Sequence, residues 1–147
     1  MNTRRYIFRV IGLSLLLFSV IVLTNHRVEG QECRIVRISG SAAANSNEII
    51  LDPPTLAIPN GGCVVWINWV RASEIKVIFE EGKQCADMTQ APVGFKLDTA
   101  KNCYVTDWIP LGGTSSLRFK DKGTYKYRVE ATGAMKIKQT GQVEVTE

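Results

Sequence analysis

The chain has 147 residues, a length that fits one domain, with 18 basic and 14 acidic side chains and a formal net charge of +4. Arg4, Arg5, Arg9 and Arg27 with Glu29 fall in the first 30 positions, so residues 31–147 hold 14 basic and 13 acidic groups. The basic balance is thus largely a property of the N-terminal stretch, and the remainder lacks the concentrated positive face that nucleic-acid binding requires.

Residues 1–30 read as a secretory signal. Arg4, Arg5 and Arg9 form a basic head, and Val10 to Leu23 is almost continuously apolar. Val28 and Gly30 suit the positions before cleavage at Gln31. The apolar run is shorter than the ~20 residues of a spanning helix, and retention as an uncleaved anchor is the alternative. No lipobox precedes Cys33. The expectation is an exported protein, periplasmic or extracellular, that meets a membrane only through an uncleaved leader.

Residues 31–147 read as short strands between turns. Cys33 to Ser39 is a first strand, followed by a small, polar loop over Gly40 to Asn47. Glu48 to Asp52 is a second, stopped by Pro53-Pro54, and Thr55 to Ile58 alternates before the turn Pro59-Asn60-Gly61-Gly62. Cys63 to Trp69 is β-branched and aromatic, and Ile75 to Phe79 follows a short connection. Lys83 to Pro110 has no clear periodicity and is too long for an ordinary connection, so it reads as an insertion. Leu117 and Phe119 alternate with Arg118 and Lys120, and Tyr125, Tyr127 and Val129 alternate with Lys126, Arg128 and Glu130. Asp121, Lys122 and Gly123 supply the turn between these two strands. Gln142 to Val145 is the last strand, with Gly141 expected at a bulge or turn. Seven or eight short strands predict an all-β sandwich.

Cys33, Cys63, Cys85 and Cys103 all follow the leader, and an even count in an oxidising compartment predicts two disulfides. Three pairings are open at this point. The single histidine, His26, lies in the leader. A mature chain without histidine offers no Ser-His or Cys-His pair, and no Gly-rich phosphate loop is present. No enzyme activity is expected.

Two stretches resemble the cupredoxins, the Greek-key β-sandwich fold of blue copper proteins. Gly123-Thr124-Tyr125-Lys126-Tyr127-Arg128-Val129 is similar to their Gly-Thr-Tyr-x-Tyr-x-Cys run, with Val129 in the cysteine slot. Val64 to Asn68 matches their Val-x-Trp-x-Asn, between a Gly turn and a second β-branched strand. The resemblance covers about two-thirds of residues 31–147. It implies first and third strands that run parallel and side by side, hence Cys33–Cys63, with Cys85–Cys103 pinning the insertion at 83–110. It places the histidine slots at Glu74 or Ile75 and near Thr132, the thiolate slot at Val129 and the axial slot near Gln139. A type 1 copper site needs two imidazoles and a thiolate, and none of the three is supplied at these positions.

The expectation is therefore a copper-free binding or structural module with no cofactor. Its partner is expected to be another exported protein or an envelope component. The alternative is a copper-binding or electron-transfer protein with non-histidine ligands, for which Cys85, Met88 and Cys103 are the soft-metal candidates. Trp69 and Trp108, at strand or loop ends, and the basic Arg118, Lys126 and Arg128 are candidate partner contacts.

Overall fold

Where one side of a strand is apolar and the other polar, burial of the apolar side decides which way the strand faces. The computed structural model describes residues 32–41, 48–79, 89–98, 103–133 and 138–147, and eleven strands lie among them. They are β1 (Arg34–Gly40), β2 (Ile49–Asp52), β3 (Thr55–Pro59), β4 (Cys63–Trp69), β5 (Ile75–Phe79), β6 (Thr89–Val93), β7 (Phe95–Asp98), β8 (Cys103–Thr106), β9 (Thr114–Phe119), β10 (Gly123–Ala131) and β11 (Gln139–Thr146).

They form two sheets. The five-stranded sheet has the order β2-β1-β4-β9-β6, and the six-stranded sheet has the order β3-β11-β10-β5-β8-β7. Most neighbours are antiparallel, but β1 runs parallel to β4 and β3 parallel to β11. The register of the first parallel pair, Arg34 opposite Val64, brings the preceding residues together, and Cys33 and Cys63 are joined by a disulfide. The Cys33–Cys63 bond and a parallel neighbour for the first strand agree with the expectation drawn from the resemblance, although that neighbour is the fourth strand along this chain rather than the third.

Inward side chains of both sheets meet in one core. Trp66, Phe119, Tyr127, Ile38, Leu117, Val36, Val64 and Val129 have no solvent contact. Trp66 packs edge-on against Phe79, Phe95 and Tyr127 at centroid separations of 5.7, 5.4 and 5.5 Å. Each such pair adds about 0.5–1.5 kcal/mol to the area it buries. Trp66 stands on the five-stranded sheet, and Phe79 and Tyr127 stand on the six-stranded one, so the cluster ties the two layers together.

Three findings refine the expectations. The stretch from Lys83 to Pro110, expected as an insertion, holds β6, β7 and β8 among its described residues, and these extend an edge of each sheet. Gly94, at φ 71°, lets the chain pass from β6 in one sheet to β7 in the other. Pro92 is tolerated because β6 is an edge strand. Second, β9 and β10 alternate as expected but lie in different sheets, so Asp121-Lys122-Gly123 is a crossing between layers. Third, Gly141 makes no bulge. It sits in register opposite Tyr127, between Thr140 opposite Arg128 and Gln142 opposite Lys126.

Candidate functional site

At the β4 end of the sandwich, Asn68 interrupts an apolar strand and is fully buried. Burying an amide without partners would cost several kcal/mol, and here every polar atom is matched. Its Nδ2 donates to Ser73 O at 3.0 Å and to Ile109 O at 2.8 Å, and its Oδ1 accepts from Val70 N at 2.7 Å. Its backbone accepts from Gly112 N and donates to Gly113 O. Through its side chain and backbone together, this one residue fixes both the Val70–Glu74 connection and the turn before β9.

The four slots implied by the cupredoxin resemblance lie close to this end. Val129 is fully buried, faces the core and pairs with Val77 on one side and Gln139 on the other. Thr132 and Glu74 are bonded to each other: Thr132 N donates to Glu74 O at 2.9 Å, and Glu74 N donates to Thr132 Oγ1 at 3.0 Å. Ser73 Oγ donates to Thr132 O at 3.0 Å. The structure therefore brings Glu74, Val129, Thr132 and Gln139 into one neighbourhood. Their donor set does not fit a type 1 copper ion, since the thiolate position carries an alkyl group and the two histidine positions are cross-linked by hydrogen bonds. Among the described residues, no group of three His, Cys, Asp or Glu is placed to hold a metal.

Of the soft-metal candidates, Cys103 is buried and disulfide-bonded, which removes its thiolate. Cys85 and Met88 lie outside the described residues, as does the expected Cys85 half of the second bridge.

The candidate contacts do not form one surface. Trp69 is 50% exposed at the end of β4, on the outer face of the five-stranded sheet. Arg118 shares that face and donates from Nη1 to Gly61 O at 2.8 Å. Lys126 and Arg128 lie on the opposite outer face, where Arg128 Nε bonds Glu130 Oε1 at 3.1 Å. Trp108 is 40% exposed, and Lys76 Nζ sits 4.5 Å from its ring centroid in a cation–π contact. The split follows from β9 and β10 lying in different sheets.

Sequence reading missed the apolar character of the five-stranded sheet's outer face, where Ile35, Ile50 and Val93 join Trp69 as exposed large side chains. The available signal was the unbroken apolar runs Ile35-Val36, Ile49-Ile50-Leu51 and Val64-Val65-Trp66-Ile67, which do not alternate as a strand with one wet face should.

Together the two facing sheets and the parallel first and fourth strands define a cupredoxin-like β-sandwich fold, and Glu74, Val129, Thr132 and Gln139 at the four slots do not supply a type 1 copper ligand set. No protein-family model matches the chain, and no curated protein matches it. Solved structures similar to it include amicyanins. A reduced tryptophan-to-tyrosine mutant of amicyanin is 19% identical with a TM-score of 0.48, covering 82% of this chain and 87% of that one. An oxidised methionine-to-lysine mutant is 20% identical with a TM-score of 0.48, covering 78% of this chain and 82% of that one.

Proposed function

We propose that this chain is an exported, copper-free module that works by binding or by structural support and carries no catalytic activity. The observation that carries the reading is the exchange at the slot end. Hydrogen bonds between Glu74, Ser73 and Thr132, with Val129 packed beneath, hold together the segments that a metal would otherwise link. These are neutral hydrogen bonds, so they tie the two segments together without supplying a group that could hold an ion and transfer an electron. A leader with a basic head and an apolar run, and the Cys33–Cys63 disulfide, support an oxidising compartment outside the cytosol. The exposed tryptophans Trp69 and Trp108 support contact with another exported protein or an envelope component.

Counting thiols in the denatured protein, recovered from oxidising medium without reductant, tests this directly. Zero thiols per chain is the expected result, because two disulfides leave no thiolate for copper. Two reactive thiols per chain, with copper retained on them, would establish the copper-handling alternative instead.

A further inference from the structure

The two outer faces of the sandwich differ in kind. On the six-stranded sheet the outward positions include Lys76, Lys96, Lys126, Arg128, Glu130 and Glu144, a solvated pattern. On the five-stranded sheet the register aligns Val93, Ser116, Val65 and Ile35 in one row across four strands. The next row is Thr114, Ile67, Arg37 and Asp52, and the last is Trp69, Ser39 and Ile50. Of the seven exposed large hydrophobic side chains among the described residues, four belong to this face: Ile35 at 58%, Ile50 at 44%, Trp69 at 50% and Val93 at 63%. An antiparallel sheet with one wet face ordinarily alternates apolar-in and polar-out, and β1, β2 and β4 depart from that alternation at Ile35, Ile50, Val65 and Ile67.

We propose that the outer face of the five-stranded sheet is the interface of a homodimer, packed against the same face of a second copy. A two-fold contact sets a patch against itself, so a patch of one charge sign would repel its copy. This face carries both signs rather than one, with Arg118 as a further cation in the end row beside Gln90. Its central charges are one cation and one anion, Arg37 and Asp52, whose Nη1 and Oδ2 lie 4.0 Å apart and whose side chains are 60% and 69% exposed. Each is available to the oppositely charged residue of the second copy. The face is also of usable size. Its five strands, about 4.8 Å apart and four to seven residues long at about 3.3 Å each, span roughly 24 by 19 Å on average. That plan area, enlarged by side-chain relief, is more than half of the ~800 Å² of accessible surface per partner in a standard interface. Aligned packing of two such faces repeats the arrangement inside the sandwich. The inference names a partner for the binding-module reading, but its argument rests on the sheet face alone.

Sedimentation velocity on the protein recovered from expression of the full chain, across a hundredfold concentration range, is the test. A reversible dimer is expected. Ile35→Glu, which places an unpaired charge in each half of the contact, weakens it at least tenfold. Thr124→Glu, on the other outer face, leaves the dissociation constant within twofold. If Ile35→Glu loses its near-ultraviolet circular dichroism, hydroxyl-radical footprinting of the unmodified protein replaces it. Trp69 and Ile50 then become protected as concentration rises, while Trp108 does not. A monomer throughout, or a dimer that neither Ile35→Glu nor concentration-dependent protection of Trp69 locates to this face, overturns the proposal. A monomer that holds no copper leaves the binding-module reading standing, whereas a dimer that holds copper through thiolates removes that reading alone.

Discussion

Tyr127 lies directly across from Gly141 in the β10–β11 pair, and its ring and hydroxyl occupy the space where a side chain on residue 141 would stand. A Cβ there would overlap the Tyr127 ring and approach Leu51 Cδ1 to 3.0 Å. The ring is fully buried, so it has nowhere to retreat. Gly141→Ala is expected to lower stability by about 2–3 kcal/mol through overpacking. Tyr127→Phe removes one of the overlapping atoms and is expected to recover part of that loss. Urea unfolding of the two single variants and the double variant measures the coupling.

The Tyr127 hydroxyl is also a source of pH dependence. It and Trp66 Nε1 are buried side by side, and neither makes a hydrogen bond of good geometry. Burial pushes the Tyr127 hydroxyl up to about 12, with the Trp66 indole N–H acting in the smaller, opposite sense. Burial, and then Asp121, also raise Tyr125. A raised phenol pKa means that the folded chain holds its proton where the unfolded chain has released it. The Tyr127 contribution is therefore complete below pH 10 and is lost as pH rises from 10 toward 12, by at most about 3 kcal/mol. Tyr127→Phe flattens this limb of the stability profile in denaturant titrations. An unchanged slope in that variant contradicts the assignment.

How much of this was legible beforehand follows from the kind of signal each element carries. Cys63 to Trp69 and Ile75 to Phe79 are dense in β-branched and aromatic residues, so their strand character needs no partner to be seen. β6 to β8 are four or five residues long, β6 contains Pro92 and is joined to β7 through Gly94, and all three owe their conformation to distant partners such as β9 and β5. The alternation of residues 117–130 reports one buried side for each strand, but not that the two strands face each other across the core. That gap joined Arg118 to Lys126 and Arg128 in one candidate surface when the sandwich separates them. The slot positions were legible through the motif order. The hydrogen bonds between Thr132 and Glu74 were not, because they join groups 58 residues apart.

Asn68 should be among the least replaceable residues. Asn68→Ala leaves Ser73 O, Ile109 O and Val70 N without their present partners, and the last two bonds are buried. A loss of about 2–4 kcal/mol is expected. Asn68→Asp should be comparably damaging, since a carboxylate accepts the Val70 N–H but has no N–H for the two carbonyls. Thermal unfolding of both variants provides the comparison, and a loss confined to a few tenths of a kcal/mol would contradict this role.

The Cys33–Cys63 bond spans a sequence separation of 30. Loop-closure entropy over that length predicts a loss of about 3–4 kcal/mol when both cysteines become alanine. Each end is held in register by the β1–β4 ladder, so the variant should retain its far-ultraviolet spectrum while unfolding at lower denaturant. Equilibrium unfolding with and without the bond gives the figure.

Equilibrium dialysis against copper, followed by metal analysis and a visible spectrum, bears most directly on the proposed copper-free character. The buried alkyl group of Val129 and the bonded Glu74–Thr132 pair predict far less than one retained copper per chain and no thiolate-to-copper band. One tightly held copper per chain accompanied by such a band would contradict the account.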